Sequence, residues 1–77
     1  MDITSKIKAI LNLTGHKQIE LMEPLQMKSR QSLGNKFSNN RWSAEDLVTV
    51  AEATGCELAF ILPDGQKIVL KKEMAGQ

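Results

Sequence analysis

At Gly55 the apolar spacing of the chain changes from the 3.6-residue period of helices to the 2-residue period of strands, so two kinds of element must share one small body. Up to that glycine, apolar residues recur three or four apart. Beyond it, residues 56–62 and 66–70 are strand-like runs around Pro63-Asp64-Gly65. Pro and Asp there set a type I turn and Gly takes the positive φ of a bulge, which predicts a β-hairpin over residues 56–71. The expected architecture is a single domain over residues 1–77, mostly α, with four helices in residues 3–55, two antiparallel strands and a frayed tail at 73–77. A chain of 77 residues buries only about 60% of its unfolded surface and gains stability from oligomerisation.

The first predicted helix covers residues 4–13, with Ile3, Ile7, Ile10 and Leu11 on one face and Lys6, Lys8 and Asn12 on the other; Gly15 is its left-handed stop. The second starts near His16 or Lys17 and buries Leu21 and Leu25, with Ile19 on its flank. Pro24 removes a backbone donor and disfavours helical geometry in Glu23, so this helix must be short, kinked or tightened near its end. The third runs over 29–37 with Ser29 as N-cap and Leu33 and Phe37 inward at i, i+4. Gly34 weakens it by about 1 kcal/mol relative to alanine. That glycine is either a tolerated defect or a means of close approach by a bound molecule. The fourth opens on Ser43-Ala44-Glu45-Asp46, a capping box with Asp in place of the usual Glu, presents Leu47, Val50, Ala51 and Thr54 as its inner stripe, and stops at Gly55.

Catalysis is not expected. Cys56 and His16 stand far apart in different elements, and there is no glycine-rich phosphate loop and no paired acids in a pocket. Cys56 reads as a small buried hydrophobe at the start of a strand and His16 as a solvated helix-start residue. A lone cysteine forms no internal disulfide and fits a reducing cytosol, and neither it nor His16 has a second soft ligand at zinc-site spacing, so no metal or cofactor is expected. No apolar run approaches the roughly 20 residues of a membrane helix, and the first residues lack the pattern of a secretory signal. The expectation is a cytoplasmic protein with no membrane partner.

The net charge of +1 identifies no partner, but its distribution is asymmetric. Between residues 28 and 41 stand Lys28, Arg30, Lys36 and Arg41 and no acid; between 43 and 64 stand Glu45, Asp46, Glu52, Glu57 and Asp64 and no cation. A chain with one basic and one acidic face binds a polyanion in a single orientation. Residues 17–37 read as two short amphipathic helices around a tight turn, the second rich in donors. Arg30 and Gln31, in its first turn, and Asn35, one turn beyond Gln31, suit base edges, arginine pairing with guanine and glutamine or asparagine with adenine. Lys17, Gln18, Lys28, Ser29, Lys36, Asn39, Asn40 and Arg41 suit phosphates. For any one of these residues the alternative is an ordinary solvent-facing helix surface.

These residues resemble the lambda-repressor and Cro-like (XRE-type) helix-turn-helix family of bacterial and phage regulators. The resemblance spans about residues 3–55: Gln18 stands at the second-helix glutamine, Leu21 and Leu25 at its core positions, Leu33 and Phe37 at those of the third helix, and Ser38-Asn39-Asn40-Arg41-Trp42 leads into the fourth. Gly55 to Phe60 followed by Pro63-Asp64-Gly65 looks like a subgroup with a C-terminal hairpin. The resemblance implies a transcriptional regulator of bacterial, phage or mobile-element origin that binds operator DNA, double-stranded, as a homodimer through its third helix. Four features depart from the family pattern: Met22 for a small alanine, Gln26 for the turn glycine, Pro24 within the second helix, and a turn lengthened by Lys28-Ser29. Trp42 reads as a packing residue. In the hairpin, Cys56, Leu58, Phe60 and Leu62 are expected to face the helices, leaving Ala59, Ile61 and Val69 as a dimer interface. A protein-interaction module, antitoxin-like or an adaptor, is the alternative on the same scaffold.

Overall fold

A computed structural model of the protein describes residues 2–72. Three α-helices, α1 (Ile3–Thr14), α2 (Arg30–Asn39) and α3 (Ala44–Thr54), precede two strands, β1 (Leu58–Ile61) and β2 (Lys67–Leu70). The molecule is thus mostly helical with a C-terminal antiparallel hairpin. Between α1 and α2 lies a single 3-10 turn, Gln18–Leu21, so the expected count of four α-helices is corrected to three.

Local chemistry accounts for each boundary. The Asp2 carboxylate accepts from the Ser5 N–H at 3.1 Å at the start of α1, and Ser29 Oγ accepts from the Ser32 N–H at 3.1 Å at the start of α2. The box at α3 is reciprocal: Ser43 Oγ accepts from the Asp46 N–H and Asp46 Oδ2 from the Ser43 N–H, both at 3.0 Å. Gly15 and Gly55 end α1 and α3 at φ 77° and 73°, each in the left-handed conformation that glycine takes without strain.

The segment expected as the second helix is short because Pro24 has no N–H to donate. Its backbone nevertheless closes. Leu25 N–H reaches Leu21 O at 3.0 Å, Gln26 N–H reaches Glu23 O at 3.0 Å and Met27 N–H reaches Met22 O at 2.8 Å. The last two bonds form a Schellman motif, and they hold Gln26 at φ 58°. A left-handed glutamine costs about 1 kcal/mol that glycine would not.

Ile7, Leu11, Leu21, Leu33, Phe37 and Val50 form the core, with Ile3, Met22, Leu25, Met27, Trp42, Leu47 and Ala53 packed round it. Ile7, Leu21 and Val50 are fully buried, and each such side chain stabilises the fold by about 1.5–3 kcal/mol. Met22 is half-buried against this core.

One polar knot closes the helical body. Buried Thr4 donates from Oγ1 to Phe37 O at 2.9 Å and accepts from Trp42 Nε1 at 3.0 Å, while its N–H donates to Asn40 Oδ1 at 2.9 Å. Trp42 stands edge-on to Phe37, ring centroids 5.1 Å apart, which makes it the expected packing residue.

The hairpin pairs Leu58 with Leu70, Ala59 with Val69, Phe60 with Ile68 and Ile61 with Lys67. Gly65 sits at φ 93° in the expected turn. No hairpin side chain belongs to the core cluster. Phe60 does not face the helices as expected but is 65% exposed, because only the base of the hairpin meets α3, where Leu70 lines a groove with Ala44, Glu45 and Val48. Cys56 is exposed, not buried, since its N–H completes the cap of α3 on Ala51 O at 2.8 Å and β1 begins only at Leu58. The expected frayed tail, 73–77, lies outside the described residues.

Candidate nucleic-acid interface

The residues expected to read bases come together on α2. Arg30 and Gln31 occupy its first turn behind the Ser29 cap, Asn35 follows Gln31 at i+4 on the same side, and all three are exposed. The helix supplies their spacing, and Leu33 and Phe37 on its other side anchor it to the core. Gln18 and Ile19 of the 3-10 turn border a shallow groove with Arg30, Leu33 and Gly34, so the two halves of the segment are neighbours in space. Lys17 caps that turn, exposed, and its N–H donates to Glu20 Oε2 at 2.9 Å. His16 Nδ1 is 2.9 Å from Glu20 Oε1. The hydrogen bonds from His16 and Lys17 lower the Glu20 carboxyl below its ordinary range.

The expected phosphate set divides into groups turned outward and groups with internal work. Lys17, Gln18, Lys28, Asn39 and Arg41 are exposed. Among the described residues Lys17, Lys28, Arg30 and Arg41 enter no ion pair. Ser29 Oγ is taken up by the α2 cap, and its hydroxyl also bonds Ser32 Oγ at 3.1 Å. Asn40, at φ 54° at the end of α2, uses Oδ1 to bind the Thr4 N–H and so links α2 to the start of α1.

Lys36 is tied down most firmly. Its Nζ lies 2.7 Å from Asp46 Oδ2, donates to Arg41 O at 3.2 Å and sits 5.4 Å from the Trp42 ring centroid. Burial raises the Asp46 carboxyl, but the hydrogen bonds from Lys36 and Ser43 outweigh it and leave the group below its ordinary value. The charge of Lys36 is thus answered inside the fold. The signal for this was present in the sequence only as an acid three residues after the Ser43 cap, with nothing to mark Lys36 as its partner.

The residues expected at a dimer contact share one face of the hairpin. Ala59 and Val69 are half-buried, Ile61 is 75% exposed, and Lys67 on that face reaches back to the Glu57 carboxylate, which it lowers by hydrogen bonding. The opposite face carries Leu58, Phe60, Ile68 and Leu70, all apolar, with Ile68 54% exposed beside Phe60. Sequence alternation separated these two sets but did not tell which face the helical body leaves open.

Among the described residues no helix is long and apolar enough to cross a membrane, and no group of three or more His, Cys, Asp or Glu is placed to hold a metal ion. Compared with protein-family models, curated proteins and solved structures, the chain matches none.

Proposed function

We propose that the chain is a sequence-specific DNA-binding transcriptional regulator of the lambda-repressor and Cro-like (XRE) type, of bacterial, phage or mobile-element origin, working in the cytoplasm on the nucleoid. Its α2 enters the major groove, Arg30, Gln31 and Asn35 face base edges, and Lys17, Gln18, Lys28, Asn39 and Arg41 hold phosphates. The observation that carries this reading is the outward side of α2: a capped, core-anchored helix, free of acids, presents exposed hydrogen-bonding side chains beside cations that enter no ion pair among the described residues. A second copy of the chain completes the reader, joined through the apolar face of the hairpin, since an isolated two-stranded hairpin is marginal and has unpaired edges. A short duplex titrated over a range of salt tests the reading. With Lys17, Lys28 and Arg41 neutralising phosphates, log K falls against log salt with a slope of about −3 per subunit. No binding at low salt, or binding indifferent to salt, overturns it.

One observation favours a second reading, a protein-interaction module of the antitoxin or adaptor kind: Phe60, Ile61 and Ile68 expose a large apolar area on a small body. That surface is used in both readings, so only the duplex titration separates them.

A further inference from the structure

Gly34 stands midway along α2 in ordinary helical backbone, exposed, and a Cβ added to it would meet no atom within 4 Å. Neither a left-handed backbone nor crowding inside the protein calls for glycine here. Alanine would favour the helix. The fold alone therefore gives no reason for the missing side chain.

Its surroundings give one. Gly34 borders the shallow groove together with Gln18 and Ile19 of the 3-10 turn and Arg30 and Leu33 of α2, and Arg30 is the charged residue on that lining among the described residues. Lys17 and Lys28, next in sequence to Gln18 and close to Arg30, are exposed and enter no ion pair among the described residues. Side chains on a helix lean toward its N-terminus, so any side chain at position 34 would lie across the turn that carries Arg30 and partly fill the groove. With glycine the α2 backbone is left uncovered there, and a groove open to the backbone with Arg30 on its lining fits a polyanion.

We propose that Gly34 is a close-approach position: its missing side chain lets a DNA duplex seat against the backbone of α2 between Gln18 and Arg30 and determines how deeply α2 enters the groove. The inference rests on the DNA-binding reading and adds to it the residue that sets the docking depth. It makes stability and binding move in opposite directions at one residue, which a merely structural glycine would not do.

The test compares wild type with Gly34→Ala and Gly34→Leu by thermal melting and by titration with labelled short duplexes of random sequence at low salt. Gly34→Ala raises Tm by about 4 °C or more. It also weakens duplex binding by about tenfold, and the longer Gly34→Leu weakens it further while remaining folded. A Gly34→Ala protein that melts higher and binds duplex as tightly as wild type overturns the role of Gly34 and leaves the DNA-binding reading standing. A wild type that binds no duplex overturns both.

Discussion

At the residue scale, the donors and acceptors that hold this fold together are few and placed at its joints. Thr4 joins the start of α1 to the end of α2 and to Trp42 through one buried hydroxyl. Lys36 and Asp46 join α2 to the start of α3. That second joint makes a pH prediction. The folded carboxyl of Asp46 is lowered from its ordinary value of 3.8, so the charged form is favoured by folding. Its stabilisation is fully present above that value and is lost as pH falls through the lowered folded value. Asp46→Asn should therefore cost about 1 kcal/mol at neutral pH, and the gap from wild type should close in acid. Urea denaturation of both proteins across this range measures it; a gap that persists unchanged below the folded value removes the ion pair as its source.

At the element scale, α2 has one side turned to the core and one turned to solvent. Leu33 and Phe37 hold it to the core, and Arg30, Gln31 and Asn35 leave its outer side available. Arg30→Ala or Gln31→Ala should cost about 1–3 kcal/mol on a preferred site and relax the choice at one base pair, whereas Lys28→Ala should weaken all sequences alike. Selection of duplexes from a random pool, followed by titration, reads both effects; equal losses for Arg30→Ala on preferred and random duplexes would remove it from base reading. Lys36 differs from both groups in that its ammonium also bonds Asp46 and the Arg41 carbonyl.

At the scale of the whole molecule, the hairpin extends from a helical body that does not cover it. Its Leu58, Phe60, Ile68 and Leu70 face has a mainly apolar tip, and the Ala59, Ile61 and Val69 face carries the Lys67–Glu57 pair. Burial against a second copy thus favours the Phe60 side. Sedimentation should show that Phe60→Lys abolishes self-association while Ile61→Lys leaves it largely intact; the reverse pattern would move the interface to the other face. In the proposed dimer the two α2 helices meet successive major grooves about 34–36 Å apart.

Most of the boundaries were legible in the residues themselves, because caps and turns are local. Asp46 after Ser43, Ser29 before Arg30, Gly15, Gly55 and the Pro63-Asp64-Gly65 turn act through bonds spanning a few residues, and each stands where its chemistry predicts. Pro24 likewise foretold a shortened second element, though not that a left-handed Gln26 would close it or that only a 3-10 turn would remain. Of the candidate site, the sequence by itself determined that Arg30, Gln31 and Asn35 share a capped helix, since their spacing and the Leu33–Phe37 anchor lie within one element. Tertiary structure decided what depends on distant partners. It tied Asn40 and Lys36 to Thr4 and Asp46, buried Val48 and Thr49 outside the expected stripe of α3, and left Phe60 in the open. Periodicity defines the two sides of an element, but which side loses water depends on whatever packs against it, and that is a property of the assembled chain.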